Sequence, residues 1–320
     1  MPAISSFAPG KVILCGEHAV VYGQPAIALP VHQVHAKTTI IARPAAPTGE
    51  VRILAPDIHL DILLEDLDPV QPLRAAIIYV METLAIHSLP ACEIRINTTI
   101  PLAAGLGSSA AVTVSLVRAL SQFLGHPLSD ETVNQITFEV EKIHHGTPSG
   151  IDNTVITYRT PVLFQRGKPL QRLDILNGFT LVIADSGFPA STAETVAGVR
   201  QRWQQDKGTY DNLFARIGET VTRVHGILRT GNLLEHGDLL TKNHQLLREL
   251  GVSTPTLDTL VNAAIDAGAC GAKLSGGGGG GNIIAVATPQ TVNRVAEAVK
   301  INGAVGVIVT EIPGTNTGKL

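Results

Sequence analysis

The chain has 320 residues, 44% of them hydrophobic, with 24 basic and 27 acidic side chains and a formal net charge of −3. That length accommodates two domains, and the apolar fraction is ample for a packed core, which excludes an intrinsically disordered chain. Near-balanced charge argues against nucleic acid or a membrane surface as the main partner. The opening stretch, Met1 to Phe7, has no basic region ahead of an apolar core, and no apolar run reaches roughly 18 residues, so neither a signal peptide nor a membrane span is expected. Cys15, Cys92 and Cys270 are odd in number and far apart. They read as reduced thiols of a cytoplasmic protein. The 11 histidines form no His-Glu-x-x-His pattern, so a structural zinc site is not expected.

In chain order, Lys11–Cys15, Ala26–Leu29, Val34–Ala42, Val51–Leu54 and Cys92–Asn97 are apolar or β-branched runs bounded by turn residues, and predict strands. Pro72–Leu84 has helical spacing. Ser108–Leu124 predicts a largely apolar helix stopped by Gly125 and Pro127. Ser129 is placed to cap a further helix that ends near His145 at Gly146 and Pro148. Val155–Phe164 returns to strand character. In the second half, Phe179–Ala184 predicts a buried strand, and Ser191 to Glu194 forms a capping box. Helical stretches follow over Asn212–Arg229 and Leu233–Leu250, then from Thr254-Pro255 to Gly268. Strands at Ala272–Leu274 and Asn282–Ala287 flank a glycine run, Thr288-Pro289 opens a last helix, and Val305–Glu311 predicts a last strand. The order β, helices, β, β, helix, β is a split βαβ, ferredoxin-like pattern. It places a domain boundary near residue 178, giving domains 1–178 and 179–320.

Four segments concentrate the chemistry. Pro101-Leu-Ala-Ala-Gly-Leu-Gly-Ser-Ser-Ala110 puts glycines and hydroxyls at the start of an apolar helix. A helix N-terminus offers unpaired N–H groups and partial positive charge, so the segment is suited to phosphate, though a glycine turn before a helix is often only a turn. It is neither a Walker-type loop nor a dinucleotide fingerprint. The second segment, Ala8 to Gly23, places Lys11, Glu17 and His18 among apolar residues. Such a lysine either snorkels to solvent or works in a cleft. The third, Glu141 to Asn153, holds Ser149, Gly150 and Asp152 as a tight polar group. There Asp152 has a plain reading too, as a cap or an Asx turn. The fourth runs from Lys273 to Asn282 through six consecutive glycines, Gly276 to Gly281. Backbone lying close against a ligand or an opposite domain accounts for it, and a flexible hairpin is the alternative.

Together these segments resemble the GHMP kinase superfamily, of which Pro101-x-x-x-Gly-Leu-Gly-Ser-Ser-Ala110 is the signature phosphate loop. The likeness runs from Pro9 to about Gly281, with the motifs in the expected order. Within the superfamily it is nearest to the mevalonate kinase family, through Pro9 to Gly23, His145-Gly-Thr-Pro-Ser-Gly-Ile-Asp-Asn153 and Lys273-Leu-Ser-Gly276. The resemblance implies an α+β, two-domain fold, the first domain like ribosomal protein S5 domain 2 and the second ferredoxin-like. It implies ATP as cofactor, its phosphates over Pro101, Ala104, Gly105, Leu106, Gly107, Ser108, Ser109 and Ala110, and Mg²⁺ held by Ser109 and Glu141. Asp152 is implied as catalytic base toward a primary hydroxyl, with Lys11 beside it. The acceptor pocket would take Lys11, Glu17, His18, Ser149, Gly150, Asp152 and Thr192, and Ser275, Gly276, Gly277 and Gly278 would form an interdomain glycine-rich loop.

Thr192 also reads simply as part of a helix N-terminal turn. The stretch Asp185 to Thr192 matches the family only loosely, and Gly277 stands where the family commonly carries Ala. The implied acceptor is mevalonate, and a homodimer is implied by resemblance alone. Phosphomevalonate, homoserine or sugar kinases are the alternatives, with diphosphomevalonate decarboxylase a further one that the Lys11 to Gly23 signature disfavours, and a non-catalytic regulator on the same scaffold is the reading from another class. A phosphorylated acceptor would call for an extra basic cluster, which the Glu17-His18 segment does not offer. A regulator would be expected to lose chemical groups, whereas Lys11, Ser109, Glu141 and Asp152 are all present.

Overall fold

The computed structural model describes residues 3–101, 104–146, 148–189 and 192–315, with the side chains at 144, 145 and 192 outside the description. The chain forms two compact units. One comprises residues 1–11, 30–101 and 107–159; the other comprises 12–29, 102–106 and 160–320. The division therefore falls after Arg159, ahead of the expected break at 178. Two early segments group with the later half for a long-range reason. Residues Ala26–Ala28, for example, pair with Val162–Phe164.

The first unit is built from β1 (Ala3–Cys15), β2 (Ala26–Ala42), β3 (Val51–Ala55), β4 (Leu60–Leu63), α1 (Pro72–Thr83), β5 (Cys92–Thr98), α2 (Ser108–Phe123), α3 (Asp130–His145) and α4 (Ile151–Tyr158). Strands β1 and β2 continue past its limits. Period-2 patterning gives β2, β3 and β5 one apolar face: Val34, Ala36, Thr38 and Ile40, then Val51, Ile53 and Ala55, then Cys92, Ile94 and Ile96, are all buried. β2 pairs antiparallel with β5, and β3 runs parallel to β5. Pro30 lies inside β2, between the residues paired with Val162–Phe164 and those paired with β5, where its missing N–H is tolerated.

Helix α2 packs against α1, α3, α4 and β5. It carries buried Ala110, Ala111, Val114, Leu116, Val117, Ala119 and Leu120. Two of its buried polar side chains bond across to neighbouring elements: Ser115 Oγ lies 2.8 Å from Thr38 Oγ1, and Arg118 Nη2 donates to the Thr157 carbonyl at 2.6 Å. Burial of this kind fixes α2 firmly and with it the position of its first turn.

The strand expected over Val155–Phe164 is instead α4 followed by a short strand. Gly150 caps α4 in the left-handed region at φ 92, and Thr154 Oγ1 donates back to the Gly150 carbonyl at 2.6 Å. The β-branched run Thr154–Thr157 is buried where α4 packs on α2 and α3, so tertiary packing overrides its strand preference.

The second unit adds β6 (Val162–Phe164), β7 (Gln171–Arg172), β8 (Phe179–Asp185), α5 (Thr192–Gln205), α6 (Lys207–Thr230), α7 (Asp238–Glu249), α8 (Pro255–Asp266), β9 (Gly271–Ser275), β10 (Asn282–Ala287), α9 (Val292–Ile301) and β11 (Gly306–Ile312). Its four-stranded sheet has the order β11-β8-β10-β9, every pair antiparallel. This is the ferredoxin-like arrangement the element order predicted. β9 and β10 are buried along their whole length, with α8 packed on both and α7 on β9.

Three expected helices differ in detail, the one expected from Asn212 beginning already at Lys207 as α6. Leu233–Leu250 is divided at Gly237 into a short 3-10 turn, Leu233–His236, and α7, and glycine is needed at the junction because a Cβ there would stand 2.5 Å from the Cys270 backbone. The last helix begins at Val292 rather than at Thr288-Pro289. The capping box at Ser191 lies outside the described residues.

Candidate active site

In the first unit, four of the chemistry-bearing side chains come together. Lys11, on β1, is 3% exposed, and its Nζ lies 3.1 Å from Asp152 Oδ1 in the first turn of α4. The N-terminal end of α4 favours that carboxylate. Ser149 Oγ accepts from the Ile151 N–H at 3.3 Å, a turn contact that helps shape the entry to the helix. Asn153 Nδ2 donates to Asn134 Oδ1 at 2.7 Å and so ties α4 to α3.

The first turn of α2 lies beside this pair. Its N-cap, Gly107, has φ 75 and provides no capping side chain, so the helix's leading N–H groups are left for another acceptor. Glycine is required there on two counts. The conformation is left-handed, and a Cβ would stand 2.8 Å from Ile156 Cδ1 and 2.9 Å from Lys11 Cγ. We expect Gly107→Ala to lose about 1–2 kcal/mol from backbone strain alone, read as a lower melting temperature, and to displace Lys11 enough to reduce turnover. Unchanged melting and turnover would contradict that packing.

Ser109 Oγ donates to Glu141 Oε1 from α3. Glu141 is 3% exposed, and burial pushes its carboxyl up to about 7; the Ser109 hydrogen bond and Lys11 pull it down, while the Asp152 charge adds to the rise. The folded state therefore holds a proton that the unfolded chain gives up near 4.5. Between those values stability falls as pH rises, and the full penalty, on the order of 3 kcal/mol, is present above about 7. Glu141→Gln should thus raise the melting temperature of the ligand-free protein at pH 8 and match wild type at pH 4. A variant less stable than wild type at pH 8 would refute this.

The second unit gathers the others. Glu17 and His18 follow β1 and are 1% and 6% exposed. Glu17 Oε1 accepts from Lys273 Nζ of β9, which also donates to the Leu274 carbonyl. His18 Nε2 lies 2.9 Å from the Gly277 carbonyl. Because a carbonyl only accepts, that nitrogen carries the proton. Burial lowers the ring to about 4, so it is neutral at ordinary pH. Ser275 Oγ accepts from the Ile13 N–H at 3.1 Å and donates to the Ile13 carbonyl at 3.0 Å.

Asn282 Nδ2 donates to the Ala104 carbonyl, and Gly276 lies beside Gly105, where a Cβ on Gly276 would make an ordinary 3.8 Å contact with the Gly105 carbonyl. The glycine run is pinned rather than loose: Gly279 donates to the Val252 carbonyl at 2.9 Å and Gly281 to that of Phe188 at 2.8 Å. A Cβ on Gly278 would stand 2.1 Å from Val252 O, which accounts for that glycine by packing.

Of the residues singled out in the sequence, the structure thus brings together Lys11, Gly107, Ser109, Glu141 and Asp152 in one cluster. A second cluster, within the other unit, holds Glu17, His18, Ser275, Gly276 and Gly277, with Ala104 and Gly105 against the same hairpin. Leu106 and Ala110 are buried packing residues flanking the loop. Pro101 and Ser108 are part-buried. Gly150 acts as a cap, and the Thr192 side chain lies outside the described residues. Lys273 carried no assigned role in the sequence. The available signals are its place in the Lys273-Leu-Ser-Gly276 motif and a lysine in an otherwise apolar strand.

The GHMP kinases N terminal domain family model matches residues 72–160, and the GHMP kinases C terminal model matches 225–305. Mevalonate kinase of Pyrococcus horikoshii is 36% identical over 324 residues, spanning 94% of this chain and 93% of its own. Among solved structures, L. major mevalonate kinase in complex with R-mevalonate superposes with a TM-score of 0.83 at 29% identity, covering 97% of this chain and 96% of that one. Methanococcus jannaschii mevalonate kinase gives a TM-score of 0.83 at 27% identity, with 98% and 99% covered.

Proposed function

The chain belongs to the mevalonate kinase family of the GHMP kinases, and from that membership and the geometry of its first unit we infer that it transfers the terminal phosphoryl group of ATP to the primary hydroxyl of mevalonate, giving 5-phosphomevalonate and ADP. The observation that carries the chemistry is the Lys11–Asp152 pair, 3.1 Å apart, beside the uncapped start of α2. The amides at the α2 N-terminus supply hydrogen-bond donors and partial positive charge for the phosphates.

Asp152 accepts a hydrogen bond from the acceptor hydroxyl, which fixes the oxygen's direction, and takes its proton as the new O–P bond forms. The bond between the terminal phosphorus and its bridging oxygen breaks, and ADP leaves with those electrons. Lys11 faces the same carboxylate and stabilises negative charge that spreads over the transferring group. Phosphoryl transfer has a loose transition state, so position and charge neutralisation supply most of the acceleration.

The family also implies Mg²⁺. Ser109 and Glu141 fit such an ion. They offer a hydroxyl and a carboxylate, both hard oxygen donors, and the buried carboxyl raised to about 7 is a group that a nearby cation would hold ionised. No cluster of three or more His, Cys, Asp or Glu suited to a metal occurs among the described residues, which accords with an ion held largely by phosphates and water. When bound, it would neutralise phosphate charge. The affinity for Mg²⁺ with nucleotide should rise with pH through about 7 as Glu141 ionises, a trend isothermal titration can follow.

No helix among the described residues is long and apolar enough to cross a membrane. The free thiols of Cys15, Cys92 and Cys270 support a reducing, cytoplasmic setting. ADP release measured with mevalonate, phosphomevalonate, homoserine and galactose tests the acceptor. Mevalonate should be strongly preferred, and a preference for any other would overturn the assignment.

A further inference from the structure

Three alternate positions of one segment, Lys273, Ser275 and Gly277, each grip a different part of the chain that follows Lys11. Lys273 holds Glu17, Ser275 holds both backbone groups of Ile13, and the Gly277 carbonyl holds His18. The lysine and the glutamate are 0% and 1% exposed. A buried ion pair contributes little net stability against an apolar pair of similar size, so its presence calls for another reason.

The gripped loop supplies one. Gly16 has φ 104, and a Cβ there would stand 2.5 Å from Ala26 Cα. His18, which is not a glycine, has φ 59 and ψ −51. Such a conformation persists only where its surroundings over-determine it. The hydrogen bonds Ala19 N–H to the Glu17 carbonyl and Val20 N–H to the Gly16 carbonyl, at 2.6 and 3.1 Å, then fold the loop into a tight turn. From the other side, His244 Nδ1 accepts from the Leu274 N–H at 3.3 Å, while its Nε2 is 3.0 Å from Asp258 Oδ1, so β9 is itself anchored.

We propose that Lys273 is a positioning residue for the acceptor site: acting through Glu17, it holds the strained Gly16–His18 loop in the shape the acceptor requires, and the Glu17 carboxylate serves this clamp rather than the acceptor directly. This rests on the reading of the chain as a mevalonate kinase with His18 at the acceptor pocket.

The test is a double-mutant cycle on the full chain with Glu17→Met, Lys273→Met and both together. Each single variant leaves a buried charge or polar group without its counterpart and melts lower. The double variant recovers most of the melting temperature, as replaced buried pairs do. Its KM for mevalonate stays raised about tenfold or more, while its KM for ATP stays within about twofold of wild type. A double variant with wild-type KM for mevalonate overturns the proposal, since the pair would then be structural only.

Glu17→Asp keeps the charge and withdraws the carboxylate by one methylene. It should raise the KM for mevalonate with a smaller drop in melting temperature than removal of the charge causes, and an unchanged KM counts against the clamp even if the double variant does not fold. Amide hydrogen exchange at Ala19 and Val20 provides a readout independent of the acceptor. It should be about tenfold faster in Glu17→Asp than in wild type. Unchanged exchange overturns the clamp, whereas a wild-type enzyme that releases no ADP with mevalonate overturns the functional reading and leaves the exchange result to decide the clamp.

Discussion

Asp152→Asn should lower kcat by about 10²–10⁴ with little change in the KM for ATP, because the amide can still hydrogen-bond the acceptor but cannot take its proton. The side chain is part-exposed, 32% against 4% for its lysine partner, so the substitution leaves no buried carboxylate behind. It does leave the Lys11 ammonium, 3% exposed, without its anion, and a modest drop in melting temperature is expected from that. Steady-state kinetics with parallel melting curves separate the two effects. Retention of near-wild-type kcat in a folded variant would remove Asp152 from the chemistry and leave it as an ion-pair partner at the head of α4.

Lys11→Met is expected to reduce kcat/KM by about 10²–10³, the usual loss when one preorganised charge-stabilising donor is removed. Methionine is suited to the position. The lysine stem runs past Gly107, where a Cβ would stand 3.2 Å from Lys11 Cε, so an unbranched apolar chain preserves most of that contact. Loss of activity with a retained fold would then report the missing charge. If Lys11 served only to pair with Asp152, the double variant Lys11→Met/Asp152→Asn would be no slower than Asp152→Asn alone. The account predicts a further loss in the double variant, because each group acts on a different part of the reacting system. Kinetics on the four proteins decide between these outcomes.

What was legible in the sequence follows from how local each signal is. The start of α2 was readable because glycines and serines stand directly before a long apolar run, and the structure begins that helix at Ser108 as expected. The Ser129 cap of α3 and the Thr254-Pro255 start of α8 are equally local. The ferredoxin-like sheet was readable from element order alone, since the antiparallel order β11-β8-β10-β9 is the pairing that sequence of elements permits.

Helix α4 was not legible. Thr154, Val155, Ile156 and Thr157 carry strand propensity, and only their burial against α2 and α3 makes them helical. The grouping of Val12–Leu29 with the later half was hidden for a similar reason. Its contacts reach partners far along the chain, such as the Glu17–Lys273 pair across 256 positions. The same distance concealed the role of Lys273, which by itself looks like a charge misplaced in a core strand. At the candidate site, the motifs picked out the candidate residues, but the commitments of Glu17 to Lys273 and of His18 to Gly277 are tertiary facts that no local pattern encodes.

The most direct measurement is the proton-coupled ³¹P spectrum of the product formed from ATP and mevalonate by the purified chain. Transfer to the primary hydroxyl yields one new phosphomonoester resonance split into a triplet by the two protons of the adjoining methylene, growing in step with ADP. A new resonance without that splitting, or inorganic phosphate alone, would contradict the proposed alignment of Asp152 and Lys11 on a primary alcohol.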